Sequence, residues 1–168
     1  SPIILDLDGN GIDTTSLLAG VKFDIDGDGD LDNTGWVGAS DGLLALDRDQ
    51  DGTIDNGTEL FGTATSLSDG SQANDGFQAL AEFDENRDGS ITAADNIFSA
   101  LRVWVDSNQD GVSQTGELKT LEELGITSID AIATQGDTWQ NGNFVGLEAT
   151  YETTDGEVHA MADVWFST

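Results

Sequence analysis

Asp106-Ser107-Asn108-Gln109-Asp110-Gly111-Val112, closed by Glu117, is the stretch from which the rest of this chain is read. Side-chain oxygens at positions one, three and five, a glycine at six, a main-chain carbonyl at seven and a carboxylate at twelve are the donor set of a calcium loop. The same D-x-[DN]-x-[DN]-G opening occurs five times. Asp84, Asn86, Asp88 and Ser90 form a second complete loop, with Asp95 at position twelve. Asp47, Asp49, Asp51, Thr53 and Asp55 form a third, whose distal acid, Glu59, falls one place late. Asp24, Asp26, Asp28 and Asp30 open a fourth, in which position twelve is Gly35, so Asp32 or a carboxylate from elsewhere must complete the shell. Asp6, Asp8, Asn10 and Ile12 open the first loop in the chain, where position twelve is Leu17 and Asp13 is the nearest spare acid. A metal-free Asx turn is the plain alternative for that loop.

Composition agrees with hard oxygen ligands. Thirty-three acidic residues face five basic ones in 168 residues, a formal charge of −28. Such a surface excludes nucleic acid and anionic lipid as partners, since both need clustered Lys and Arg. Four tryptophans and a hydrophobic fraction of 37 % argue against a disordered acidic segment. The absence of cysteine removes thiolate sites and disulfides, and the single histidine, His159, cannot build an imidazole-rich zinc or copper site. Calcium, several ions per chain, is therefore the expected cofactor. Self-repulsion at this charge favours a monomer. No apolar run is long enough to span a membrane, and no basic-then-apolar leader stands at the start, so an export signal is expected elsewhere.

Periodicity predicts an α+β fold: EF-hand-like calcium loops with short helices over 1–125, then a β-rich part over 126–168, the whole being one module. Phe77, Leu80 and Ala81 make one helical stripe. A second helix is expected after Thr92, carrying Ile97, Phe98 and Leu101, and a third through Leu118, Leu121 and Leu124, stopped by Gly125. Strands are expected at Ile3–Leu7, Leu43–Leu46, Arg102–Val105 and Ile126–Ile132. A hairpin from Val145 to Phe166 turns at Thr153-Thr154-Asp155-Gly156, with Leu147, Ala149 and Tyr151 on one face.

Nothing local marks a turnover enzyme. His159 lacks the setting of a catalytic triad, no phosphate loop or dinucleotide fingerprint is present, and no carboxylate pair stands out among so many acids.

Several blocks nonetheless follow one another in a distinctive order. Pro2 precedes Leu5-Asp6-Leu7-Asp8-Gly9-Asn10-Gly11-Ile12, and Thr34-Gly35-Trp36-Val37 precedes Asp41-Gly42-Leu43-Leu44. Then come Ile54-Asp55-Asn56-Gly57, Glu59-Leu60-Phe61-Gly62, Leu101-Arg102-Val103-Trp104 and Thr120-Leu121-Glu122-Glu123-Leu124-Gly125-Ile126. Nearly end to end, the chain resembles the self-processing module of FrpC-like iron-regulated RTX proteins, which leave the cell by type I secretion. The resemblance implies calcium-triggered folding followed by a single-turnover break of an Asp-Pro bond at the N-terminal edge. In that chemistry the aspartate side chain attacks its own carbonyl and expels the proline nitrogen. The resulting anhydride is opened by a lysine of an acceptor protein, giving an isopeptide link, or by water.

The junction here is Ser1-Pro2. Serine cannot form the anhydride, so the expectation is a chain inert in cis, with cleavage restored by Ser1→Asp behind an upstream segment. Asp6 and Asp8 lie nearest the junction in sequence and either assist there or only ligate calcium. Lys22 and Lys119 are the only lysines, either internal acceptors or ordinary surface residues. The rival expectation is a non-catalytic, calcium-stabilised structural or partner-binding module of a secreted adhesin or toxin. An intracellular calcium sensor is the weaker reading, because Met161 is the only methionine. Either leading reading places the protein outside the cell or at its surface.

Overall fold

Ile3–Leu5 runs through the middle of the molecule with every side chain buried. The computed structural model describes residues 1–168. Thirteen strands follow in order: β1 (Ile3–Leu5), β2 (Thr14–Thr15), β3 (Val21–Phe23), β4 (Asp32–Thr34), β5 (Trp36–Val37), β6 (Gly42–Ala45), β7 (Ser90–Ile91), β8 (Arg102–Trp104), β9 (Leu118–Thr120), β10 (Ile126–Asp130), β11 (Thr134–Gln140), β12 (Asn143–Thr153) and β13 (Val158–Trp165). One α-helix, α1 (Gly76–Ala81), interrupts them.

Nine strands make one antiparallel sheet in the order β7-β10-β12-β13-β1-β6-β8-β9, with β11 also paired to β12. β1 lies between β13, where Ile3 faces Asp163, and β6, where Ile4 faces Leu43. β2 with β5 and β3 with β4 form two small hairpin-like pairs.

Alternation along the central strands builds two cores, one on each face. Ile3, Leu5, Leu44, Val103 and Met161 meet Phe61, Phe77, Leu80 and Tyr151 on one side. Ile4, Leu43, Ala45, Trp104 and Val164 meet Phe23 and Trp36 on the other. Burial on both faces explains why these strands read as nearly continuous apolar runs.

The α+β expectation is corrected: the fold is mostly β. The Phe77 stripe does form a helix, α1, capped by the Asp75 carboxylate, which accepts from Gln78 N at 2.7 Å, but it is only six residues long. The helix expected after Thr92 is a single 3-10 turn, Asn96–Ser99. The residue at its N-cap position is Asp95, not Thr92, and it spends its carboxylate on Glu85 N and Thr92 N rather than on the turn. Leu118–Thr120 is strand β9, held by β8, and the chain then turns through to Gly125 at φ 70°. Each of these segments is too short to nucleate a helix alone, and neighbouring backbone satisfies it first. The loops are therefore carried largely on strands: one joins β8 to β9 and another joins β3 to β4. The long hairpin at the C-terminal end is present as β12 and β13, whereas β11 was not anticipated.

Candidate functional site

Each of the five loops closes on its first aspartate in the same way. The position-six glycine N–H donates to the position-one carboxylate: Gly11 to Asp6 (2.9 Å), Gly29 to Asp24 (3.0 Å), Gly52 to Asp47 (2.9 Å), Gly89 to Asp84 (2.8 Å) and Gly111 to Asp106 (2.9 Å). Position four is left-handed in every loop, even where it is Gln50, Arg87 or Gln109, and position six is left-handed glycine throughout. Those two torsions fold each loop back onto its position-one carboxylate.

The distal acids lie on the loop backbone. Glu59 accepts from Arg48 N (3.2 Å) and Asp55 N (2.8 Å), and Asp95 from Glu85 N (2.8 Å) and Thr92 N (3.0 Å). Glu117 accepts from Gln114 N at 2.9 Å. In the first loop this place belongs to Asp41, which accepts from Leu7 N (3.2 Å) and Asp13 N (2.8 Å). Asp41 is fully buried, and desolvation pushes its carboxyl up to about 7, with Asp6 and Asp8 adding repulsion. Partial desolvation, then Asp26, Asp28 and Asp24, raise Asp32 as well.

Three groups bring carboxylate oxygens within 4.8 Å of one another and can hold a metal ion: Asp6, Asp8 and Asp41; Asp24, Asp26 and Asp32; Asp47, Asp49 and Asp51. Within the loops, Asn10, Asn86 and Asn108 donate to Asp8, Asp88 and Asp110. Asp30 N donates to Asp28, Ser90 N to Asp88 and Val112 N to Asp110. The Thr53 hydroxyl bridges Asp51 and Asp55. The Ile12 carbonyl accepts from Gln140 Nε2 at 2.9 Å and is turned toward the β11–β12 corner. Asp6, Asp24, Asp41, Glu59, Asp95 and Asp106 are buried, yet no Lys or Arg pairs with any acid; the one ion pair is His159 with Glu157. Uncompensated buried carboxylates are costly, and an all-oxygen donor set of this kind fits a hard divalent cation.

At the other functional position, Ser1 sits against the end of β13. Its hydroxyl donates to Asp163 Oδ2 at 3.2 Å, and its nitrogen donates to Thr63 Oγ1 at 3.0 Å. Pro2 bridges Gly62, and Val164 N donates to the Pro2 carbonyl at 3.0 Å. Gly62 packs so closely that a Cβ there would stand 1.3 Å from the Ser1 carbonyl oxygen. Asp163 is fully buried and also accepts from Gly76 N at 2.7 Å, while its Oδ1 has no partner. Desolvation pushes its carboxyl up to about 7. A cavity of about 220 Å³ beside Ser1 is lined by Asp26, Asp32, Thr63, Trp165 and Thr168.

The model of the SPM domain family matches residues 3–167. The chain belongs to the SPM domain family. It is also 51 % identical, over 97 % of its length, to the iron-regulated protein FrpA of Neisseria meningitidis serogroup C. It spans 15 % of that relative.

In this SPM domain the acids at one and three cluster with Asp41 in the first loop and with Asp32 in the second, and only the Asp47 loop brings its acids at one, three and five together. In the Asp84 and Asp106 loops they are ordered around backbone N–H groups without forming so tight a carboxylate cluster. Asp41, adjoining β6, joins Asp6 and Asp8 in the first cluster and accepts from Asp13 N. The acid in contact with the junction is Asp163, and Asp26 and Asp32, not Asp6 and Asp8, line the cavity beside it. Asp163 was not foreseen either, although its signal is plain: one carboxylate inside the apolar run Met161-Ala162-Asp163-Val164-Trp165. His159 stacks on Tyr151 at 5.3 Å and plays no part at the junction. Lys22 is exposed, and Lys119 is partly so.

Proposed function

We propose that this SPM domain is a calcium-folded, self-processing-type module of an exported protein, and that Ser1 leaves its junction assembled but unreactive. The observation that carries the reading is the Ser1–Pro2 junction itself, held on Asp163 and sharing a cavity with two acids of the Asp24 loop.

Calcium, when bound, neutralises the clustered carboxylates and supplies the free energy that lets them be buried. The chain's own residues do the rest. Asp24, Asp26 and Asp32 order the β3–β4 connection that walls the cavity. Gly62 and Val164 clamp Pro2 between two backbones, fixing the position-1 carbonyl relative to its own side chain. An aspartate at position 1 would reach that carbonyl carbon through a five-membered ring. The Ser1 hydroxyl would have to close a four-membered lactone, which ring strain forbids under mild conditions. The chain bearing Ser1 therefore acts as a calcium-stabilised module, and processing belongs to forms bearing aspartate at position 1. The open cavity gives a lysine amine of an acceptor protein a path to the junction. Millimolar calcium outside the cell saturates modest-affinity loops, so folding and export are linked.

Calcium titration followed by circular dichroism, with the Ser1→Asp protein carrying an upstream segment run alongside, tests the reading. Expected are a cooperative gain of structure with several calcium ions per chain, cleavage of Ser1→Asp in calcium only, and an intact Ser1 form. A Ser1→Asp protein that folds with calcium and remains whole overturns it.

A further inference from the structure

We propose that Asp163 is the proton donor of the cleavage reaction, the carboxylic acid that protonates the Pro2 nitrogen as it leaves. The inference rests on the self-processing reading above and names the partner its junction needs.

The placement is specific. Asp163 lies on β13 opposite Ile3 of β1, two residues from position 1 and on the same face of the sheet. Its Oδ2 already contacts the position-1 side chain. Gly76 N fixes the carboxyl from the other side, and Gly76 can come so close only because it lacks a Cβ, which would stand 2.4 Å from the Phe61 carbonyl oxygen and 2.6 Å from Ile3 Cγ1. Oδ1 is buried without any partner, an arrangement that is costly for an anion and natural for a carboxylic acid. With aspartate at position 1, two carboxyls occupy one desolvated site and share a single proton, since both cannot ionise there. Burial keeps that proton on Asp163 near neutral pH.

The step balances with no further reactant. The ionised position-1 carboxylate adds an oxygen to its own carbonyl carbon and closes the anhydride. The carbon–nitrogen bond to Pro2 breaks, its electron pair stays on nitrogen, and the Asp163 acid gives that nitrogen its proton. One negative charge passes from position 1 to Asp163. Without a donor the leaving group would be an amide anion, which no calcium loop at a distance can stabilise sufficiently.

The experiment follows first-order cleavage at saturating calcium in the Ser1→Asp protein bearing an upstream segment, with and without Asp163→Asn or Asp163→Ser. Calcium-induced circular dichroism identifies the folded variants. Asn and Ser both retain an acceptor for Gly76 N and lack the acid, so either one, once folded, reads the effect. A rate at least ~100-fold lower than in the Ser1→Asp parent is expected. A folded variant that cleaves within about threefold of that parent overturns the role of Asp163 alone. Failure of the Ser1→Asp parent itself to cleave overturns the self-processing reading, and the role with it.

Discussion

Trp36 donates its indole N–H to Asp106 Oδ2 at 2.8 Å, joining residues 70 positions apart in the sequence. The acceptor is the first carboxylate of a candidate metal loop, and the donor is the centre of a buried aromatic group. Phe23 and Trp104 lie 5.1 and 5.4 Å from the Trp36 ring, and Trp104 Nε1 donates to Glu117 at the far end of the same loop. Loop and core are thus one unit.

Removing calcium is therefore expected to shift tryptophan emission to the red as these rings lose their packing. Trp36→Phe keeps the ring stacking but leaves the carboxylate short of a donor. A hydrogen bond to a charged acceptor of this kind contributes about 1.5–3 kcal/mol, so the calcium-bound form should lose that much stability in urea titration. An unchanged midpoint would separate loop from core.

Asp41→Asn should weaken one calcium site by about 10–100-fold, because it removes the distal carboxylate of the Asp6 loop. Asp13→Asn, the change that spacing alone would suggest, should leave every site intact. Isothermal titration of both variants gives the answer directly, and equal losses would count against the assignment of Asp41.

Gly62→Ala tests the junction's packing. Its methyl cannot coexist with the Ser1 carbonyl oxygen at 1.3 Å, so Ser1-Pro2 must move off the Gly62 backbone. Overpacking of this sort costs about 1–3 kcal/mol, equivalent here to a fall of several degrees in melting temperature. In the Ser1→Asp background, cleavage should slow by more than the stability loss explains.

Asp163 sets a pH dependence of known sign. Its folded-state carboxyl stands near 7 against an ordinary 3.8, raised by burial and by Asp75, with Gly76 N, the residue-1 nitrogen and the Ser1 hydroxyl pulling the other way. The folded chain thus holds a proton that the unfolded chain releases, and this group's contribution to stability falls as pH rises from about 4 to about 7. Asp163→Asn lacks that slope. Relative to the parent in the same calcium buffer, its melting temperature should gain at least ~2–4 °C between pH 4.5 and pH 7.5. A difference that stays flat would refute the raised carboxyl.

Local pattern carried the loops and much of the sheet. The D-x-[DN]-x-[DN]-G spacing dictates the turn through positions four and six, so the turn of all five loops is legible from it. Strands such as Leu43–Leu46 and Arg102–Val105 are legible because both faces are apolar. The helices misled for a physical reason: Leu118, Leu121 and Leu124 have helical spacing, but β8 offers Leu118–Thr120 an edge whose hydrogen bonds are available at once. Asp41 and Asp163 were illegible for another. Their partners, Leu7 and Asp13 in one case and Ser1 and Gly76 in the other, lie 28 to 162 residues away, and only tertiary pairing brings them together.

Ser1 and Thr168 line the same cavity. Stretched out, 168 residues reach roughly 550–600 Å, so folding withdraws nearly all of that length from between its two flanks. Any segment joined ahead of residue 1 and any joined after residue 168 would depart side by side. Folding would then act as a winch on a tether, taking up slack and drawing two distant parts of a longer polypeptide to one point. In the proposed processing forms, with aspartate at position 1, that point is also where the cut would fall.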